Sequence, residues 1–193
     1  KKKLNFKFKI KKINDNFKID DLRIDELPVY DIDYKQRKPF ENTSNKSNKY
    51  IFECFDMAIN LAKKKKIAGF INCPISKEFL FEKKYQGITE YLSNKLGVKG
   101  KEVMLIFNKK LSVTPITTHL PLNQVSKKLK KNKIIKNVKI INSFYKKILK
   151  KKPNFAILGL NPHNFSQSKK SEEKTIINRA IKSLNKSKIK VSG

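Results

Sequence analysis

The only two histidines of the chain lie in two short segments of similar pattern. His119 stands in ITTHLPL (116–122), and His163 stands in ILGLNPH (157–163), each close to a proline and just after a short apolar run. Neutral imidazole nitrogens bind divalent metals such as zinc, and two of them from separate strand ends suit one ion. Two ligands do not complete a site, so a third would come from elsewhere. The alternative, a hydrogen-bonded structural histidine after each strand, stays open on spacing alone.

A third segment, INCPISK (71–77), places Cys73, Ser76 and Lys77 at another predicted strand end. In open α/β sheets, ligands bind beyond the carboxyl ends of the strands, so the three strand ends could converge on one site. The alternatives are a solvated lysine at a helix start and a buried, inert cysteine. G-x-G-x-x-G, P-loop and G-x-S-x-G motifs are missing from the sequence, and two histidines without a neighbouring triad argue against a serine or cysteine hydrolase.

The composition is that of a soluble protein with a highly charged surface: 38% of residues are hydrophobic, 32% are charged, and the formal net charge is +30. The charge alone suggests a basic nucleic-acid-binding module. However, only three residues are arginines, which bidentate phosphate and base recognition favours, and the lysines are spread along the whole chain. We therefore expect no specific nucleic-acid partner, only salt-sensitive adhesion to polyanions.

The sequence also predicts no membrane segment and a reducing, cytoplasmic location. No apolar run approaches the roughly 18 residues that span a bilayer. The N-terminal residues lack the continuous apolar stretch of a secretory signal. Cys54 and Cys73 are too few for a disulfide framework and lack metal-finger spacing.

The elements that would position these residues alternate between apolar runs and amphipathic helices. Predicted strands are LNFKFKI (4–10), IAGFINCPI (67–75), NFAILGL (154–160), a hairpin of VMLIF (103–107) with LSVTPITT (111–118), and the final IKVSG. Predicted helices cover 51–66, 76–84, 88–97 and 171–186, with two more in 123–152. Residues 14–50 read as irregular, with a loop at 42–49. Ser171 is a plausible N-cap, and Glu172 and Glu173 suit the positive end of their helix.

This order of elements predicts an α/β fold, layered, with a mostly parallel sheet flanked by helices. We expect residues 1–50 to form a partial N-terminal α/β segment with an irregular loop. Residues 51–193 are expected to form an α/β domain that carries the motifs and belongs to a larger two-domain chain.

Four segments, in order, resemble motifs of the 4-hydroxythreonine-4-phosphate dehydrogenases of vitamin B6 synthesis. They are NCPISK (72–77), GITEY (87–91), TTHLPL (117–122) and GLNPH (159–163), where the family has TGPxxK, GHTEF/Y, TTHxPL and GLNPHAGE. SEEKTII (171–177) is similar to the family's EEIxxII helix. The resemblance runs from about residue 50 to the end of the chain.

The resemblance implies a fold similar to that of the isocitrate and isopropylmalate dehydrogenases, and a homodimer. It implies a divalent metal (zinc, cobalt, magnesium or manganese) bound by three histidines, the third from another subunit or a missing segment. By motif position, His119 and His163 are two of these ligands. The implied activity is NAD- or NADP-dependent oxidation of 4-phosphooxy-L-threonine, followed by decarboxylation to 3-amino-2-oxopropyl phosphate.

The same resemblance assigns the substrate site. Thr89 corresponds to a substrate-binding threonine, and Ile88 stands where the family usually has a substrate-binding histidine. Lys77 and Asn161 are expected to line the site. The partner implied is therefore a small phosphorylated amino acid.

The sequence departs from the family's pattern in four places. A glycine-rich N-terminal stretch of the type GDPAGIGPE is missing, as is the C-terminal YHDQG segment with the third metal histidine. Ile88 cannot form a hydrogen bond through its side chain. After His163 the family's AGE is replaced by Asn164, Phe165 and Ser166. We therefore expect a fold that is incomplete at both ends, and a catalytically inactive fragment or remnant is the alternative function.

Overall fold

The structure, a computed structural model, describes residues 7–21, 23–36, 38, 41–42, 44–82, 84–85, 87–165 and 170–193. The chain divides into two compact units, Lys1–Gly97 and Val98–Gly193. The predicted division near residue 50 falls inside the first unit and stays a prediction.

The first unit begins with two parallel strands, β1 (Lys9–Ile13) and β2 (Glu26–Tyr30). The strand predicted at 4–10 starts only at Lys9 and continues three residues further, and residues 4–6 lie outside the described part of the chain. β2 corrects the prediction that residues 14–50 are irregular. Its sequence contains Pro28, which cannot donate to a sheet and argues against a strand, but which an edge strand tolerates.

Three helices follow: α1 (Asn48–Lys63), α2 (Lys77–Phe81) and α3 (Ile88–Lys95). All three confirm predictions, although α1 begins inside the predicted loop at 42–49. The apolar stripe of α1 buries Phe55 and Ile59. Gly97, with φ +66°, follows α3 as the predicted left-handed stop. Phe55 joins a core with buried members from α2 and α3: Leu80, Phe81 and Tyr91.

The apolar run at 67–75 forms no strand, contrary to prediction. Ile71 is 100% exposed and Cys73 is exposed, whereas Phe70 packs against the aromatic core. A strand needs a neighbour for its backbone hydrogen bonds, and the described residues supply none for this run. Cys73 is therefore not the buried apolar residue that the sequence suggested.

The second unit packs helices beside a short parallel strand pair. The helices are α4 (Leu122–Lys128), α5 (Lys131–Lys147) and α6 (Asn178–Lys186), the last preceded by a π-helical turn at Glu173–Ile177. The strands are β3 (Phe155–Ala156) and β4 (Val191–Ser192). These helices and β4 confirm predictions. The buried core residues are Leu129, Ile134, Val138, Ile177, Ala180, Ile181, Leu184, Ile189 and Val191.

Two predicted strand regions of this unit are shorter than expected. The hairpin is reduced to one antiparallel bridge, in which Ile106 and Val113 exchange backbone hydrogen bonds of 2.8 and 2.9 Å. The strand predicted at 154–160 is limited to two residues of β3. Both strand pairs are parallel and accompany helices, as the predicted α/β class requires. No helix in the described ranges is long and apolar enough to cross a membrane.

Candidate functional site

Both histidines have the same unusual backbone conformation. The φ angle is +53° at His119 and +53° at His163, in the left-handed region that costs a non-glycine residue roughly 1–2 kcal/mol. Such strain persists where the surroundings enforce it, and it concentrates at functional sites. Both residues are exposed. Neither imidazole has a hydrogen-bond or ion-pair partner among the described residues, which argues against the structural interpretation of these histidines.

His119 lies between the antiparallel bridge and α4. On its N-terminal side, Ile116 packs against the core of the second unit. On its C-terminal side, Pro121 is the N-cap of α4, and its carbonyl oxygen accepts a hydrogen bond of 2.9 Å from the Gln124 amide. The conformation at His119 is thus set by residues close to it in sequence.

His163 lies in a 3₁₀ turn, Pro162–Phe165, which follows β3. Ile157, just after β3, donates its amide to the carbonyl oxygen of Ser192 at 2.8 Å, which ties the segment to β4. The loop between Ile157 and the turn is held by Glu173. The Glu173 Oε1 atom accepts hydrogen bonds from the amides of Leu160 (3.0 Å) and Asn161 (2.9 Å).

Glu173 is the site residue that sequence reasoning missed. The sequence predicts only that the Glu173 carboxylate suits a helix N-terminus. In the structure Glu173 is buried, with 5% of its surface exposed. Ser171 takes the predicted cap position, because its hydroxyl oxygen accepts a hydrogen bond from the Lys174 amide at 3.4 Å. A signal was present: Glu173 precedes Ile177, Ile181 and Leu184 on one helical stripe, where a charged residue needs a partner.

In ligand type and exposure each of the two imidazoles suits a divalent metal, but two ligands do not complete a site. No group of three or more His, Cys, Asp and Glu side chains suited to a metal occurs in the part of the chain that the structure describes. The requirement for a third ligand from elsewhere therefore stays a prediction, as do the ligand roles of His119 and His163.

In the first unit, Lys77 lies beside the N-terminus of α3. A Cβ atom on Gly87, the residue before α3, would lie 3.6 Å from the Lys77 Nζ and 3.3 Å from the Glu90 Oε2. Thr89, in the first turn, is exposed. The Lys77 ammonium and the positive end of the helix dipole therefore lie beside the Glu90 carboxylate, which offsets part of their positive charge.

Ile88 and Asn161 have other surroundings. The Ile88 side chain packs against the aromatic core of the first unit. Asn161, in the second unit, donates its side-chain Nδ2 to Glu173 (3.1 and 3.2 Å) and to Glu172 (3.3 Å). The substrate roles of both residues stay predictions. Ser166 lies outside the described residues.

Comparisons with known proteins agree on one family. The sequence model described as "Pyridoxal phosphate biosynthetic protein PdxA" matches residues 1–193. A 4-hydroxythreonine-4-phosphate dehydrogenase from Sulfurihydrogenibium sp. (strain YO3AOP1) is 37% identical over 98% of this chain and 57% of its own length. The protein of the same name from Aquifex aeolicus (strain VF5) is 34% identical over 99% of this chain and 58% of its own. The chain thus spans less than two thirds of the length of these relatives.

Solved structures confirm the predicted α/β fold of the isocitrate dehydrogenase type. The 4-hydroxythreonine-4-phosphate dehydrogenase of Burkholderia phymatum has a TM-score of 0.79 and 25% identity, covering 97% of this chain and 58% of its own. The enzyme from Klebsiella pneumoniae has a TM-score of 0.84 at 23% identity, covering 99% of this chain and 60% of its own.

Proposed function

Since the chain belongs to the family of pyridoxal phosphate biosynthetic proteins PdxA, we propose that it acts in a dehydrogenase reaction of vitamin B6 synthesis. The proposed substrate is 4-phosphooxy-L-threonine. Its hydroxyl-bearing carbon gives a hydride to NAD or NADP and its hydroxyl gives up a proton. The resulting β-keto acid loses carbon dioxide and takes up a proton, which leaves 3-amino-2-oxopropyl phosphate. A cytoplasmic homodimer is the proposed form.

The observation that carries the proposal is the shared state of the two histidines. Both are exposed, and neither imidazole has a hydrogen-bond or ion-pair partner among the described residues, so both can bind a ligand. We propose that His119 and His163 hold a divalent metal, with zinc, cobalt, magnesium and manganese as candidates and a third histidine from another subunit or segment. When bound, the metal would polarise the substrate hydroxyl and stabilise negative charge on its oxygen.

The first unit supports a substrate role through charge. The phosphate of the proposed substrate is an anion, and the ammonium of Lys77, a cation that could pair with it, lies next to the N-terminus of α3 beside the Glu90 carboxylate. The exposed hydroxyl of Thr89 can donate a hydrogen bond to the same ligand. Ile88 offers no hydrogen bond and packs inward, so it would support α3 from the core side.

Metal binding by the two histidines is tested with Co²⁺, whose absorption reports its ligands. We expect His119→Ala and His163→Ala each to weaken Co²⁺ binding by about 100-fold or more, because each removes a directly bonded nitrogen. Lys188→Ala is the matched control, since Lys188 is exposed and also has a positive φ, +58°. Unchanged Co²⁺ affinity in both histidine variants would contradict the metal site.

Turnover is measured separately, as NADH or NADPH formation from 4-phosphooxy-L-threonine with metal present. Activity that depends on His119 and His163 supports the dehydrogenase. Intact Co²⁺ binding without turnover would instead favour the inactive remnant, for which the inward packing of Ile88 is the motivating observation.

A further inference from the structure

Glu173 is the only charged residue among the buried residues of the described chain, and it lies beside the loop that leads to His163. We propose that Glu173 is a positioning residue, which fixes this loop and thereby orients the His163 imidazole towards its ligand. The inference rests on the proposed function, because it takes His163 as a metal ligand.

The contacts of Glu173 are concentrated on two residues of the loop. Its Oε1 atom accepts hydrogen bonds from the backbone amides of Leu160 (3.0 Å) and Asn161 (2.9 Å). It also accepts one from the Asn161 Nδ2 at 3.1 Å. Its Oε2 atom accepts the same Nδ2 at 3.2 Å. One carboxylate therefore fixes the backbone and the side chain of Asn161 together. Hydrogen bonds to an ionised acceptor are about twice as strong as neutral ones.

The charge of Glu173 is supported by these same donors. Burial alone raises the pKa of the Glu173 carboxyl, but the hydrogen bonds, led by that of the Asn161 amide, outweigh it and hold the pKa below its usual range. A buried carboxylate that stays ionised is a strong hydrogen-bond acceptor. If it is removed, the buried donors that bonded to it are left unsatisfied, which lowers stability.

Pro162 transmits the constraint from Asn161 to His163. The proline ring fixes its own φ, and it also restricts the residue before it. With the Asn161 amide held by Glu173 and Pro162 stiff, few free torsions remain before the His163 side chain. The φ of +53° at His163 is the conformation that this arrangement maintains.

The helical segment that carries Glu173 is also unusual. Glu173 begins a π-helical turn, Glu173–Ile177, a rare conformation that is found mostly at functional sites. Ser171 caps this helical segment, with its hydroxyl oxygen near the Lys174 amide and its carbonyl oxygen accepting from Thr175 at 2.8 Å. Capping therefore does not need Glu173, whose carboxylate instead bonds to the loop.

Glu172 offers a matched control. It has the same charge and lies one residue earlier, but its contact with the loop is a single hydrogen bond of 3.3 Å from the Asn161 Nδ2, and it accepts no backbone amide of the described loop residues. A general effect of negative charge near the helix N-terminus would act through both glutamates. An effect through the backbone of the loop would act through Glu173 alone.

The first test measures Co²⁺ affinity of the full 193-residue chain. Removing a group that orients a metal ligand typically costs about 10- to 100-fold in affinity, and we expect this loss for Glu173→Ala. Glu173→Gln keeps an oxygen that can accept both backbone amides, so its affinity should stay within about threefold of the unsubstituted chain. Glu172→Ala should also stay within that range. Equal affinity of Glu173→Ala and the unsubstituted chain would overturn the inference.

The second test needs no metal. Because the chain has only two histidines, their two Hε1 signals in proton NMR can be assigned with a single variant, His119→Ala. At one fixed pH, Glu173→Ala should shift or broaden the His163 signal and leave the His119 signal in place. Equal changes in both signals, as a merely structural role would produce, would overturn the inference. Should Glu173→Ala not fold, Glu173→Asp, one methylene shorter, takes its place with the same expected outcomes.

The two tests separate the inference from the proposed function. If His119→Ala and His163→Ala both leave the Co²⁺ affinity unchanged, the metal site fails, while the His163 signal still reports whether Glu173 orients the loop. If His163→Ala loses the metal and Glu173→Ala does not, the inference alone fails.

Discussion

The two histidine segments, 116–122 and 157–163, reach one backbone conformation by different means. Both histidines have φ +53°, and both follow an isoleucine that packs on the same core, Ile116 in one segment and Ile157 in the other. The second segment is held by a carboxylate remote in sequence, Glu173. In the first segment, no described residue donates or accepts a side-chain hydrogen bond, and Pro121 and α4 provide the constraint locally.

This difference shows where strain at a site is maintained. A left-handed residue that is fixed only by its neighbours can relax when those neighbours move. One that is fixed by a buried carboxylate relaxes only if several hydrogen bonds are lost together. We therefore expect the His163 segment to be the more rigid of the two, and the His119 segment to adapt more readily to a ligand.

The shared core should matter most for stability. Leu184 is 0% exposed and belongs to the core on which both segments rest. Leu184→Ala should lower the free energy of unfolding by about 2–5 kcal/mol, because it leaves a cavity. Urea unfolding measures the loss. Leu122→Ala is the control: Leu122 is 89% exposed, and its replacement should change stability by about 0.5 kcal/mol or less. A similar cost for both variants would contradict the burial of Leu184 in this core.

The backbone strain at His119 should relax more readily than the strain at His163. Glycine adopts positive φ freely, whereas alanine pays the steric cost, so His163→Gly should be more stable than His163→Ala by about 1 kcal/mol. The corresponding gap at His119 should be smaller, since that segment can shift. Thermal or urea unfolding of the four variants measures both gaps.

Lys188 calibrates the measurement, because its φ of +58° lies in a turn to which we assign no function. Lys188→Gly and Lys188→Ala should show the full gap of about 1 kcal/mol. An equal or larger gap at His119 than at His163 would remove the proposed difference in rigidity.

Much of the helical structure follows from the sequence alone. The stripe of α1 and the amphipathic pattern of α5 each specify a buried face. α1 lies close to its predicted bounds, and α5 lies within residues 123–152, where two helices are predicted. The strands were less predictable because a strand depends on its neighbour. The runs at 67–75 and 154–160 both have the apolar pattern of a buried strand. In the run at 154–160 only the two residues of β3 pair with another strand, and in the run at 67–75 Ile71 is exposed.

The candidate site was predictable in part for a similar reason. His119 and His163 stand out by their rarity and by their motifs, which are local features. Glu173 acts on a loop more than ten residues away, and no local pattern names that partner. Only its place on the apolar stripe of its helix indicated that it needed one. The left-handed φ at both histidines was likewise not predictable, because the residue type of a histidine does not indicate it.

Acid should weaken the His163 segment more than the His119 segment, because only the former is held by the charge of Glu173. The pKa of this carboxyl is lowered in the folded chain from its ordinary value of 4.5, so near that pH the unfolded chain binds more protons. Its stabilising contribution is therefore complete above pH 4.5 and is lost as the pH falls through the lower, folded-state pKa. Urea unfolding of the unsubstituted chain and of Glu173→Gln should differ most at neutral pH, and the difference should shrink as the pH falls below 4.5.

The same titration should be visible in hydrogen exchange. The Leu160 and Asn161 amides, which donate to Glu173, should lose protection in acid at higher pH than the Ile106 and Val113 amides, which bond to carbonyl groups that do not titrate. Equal loss of protection at both places would mean that acid unfolds the unit as a whole. A stability difference between the unsubstituted chain and Glu173→Gln that does not change with pH would mean that the loop depends on the shape of Glu173 and not on its charge. In that case the two histidine segments would differ only in packing.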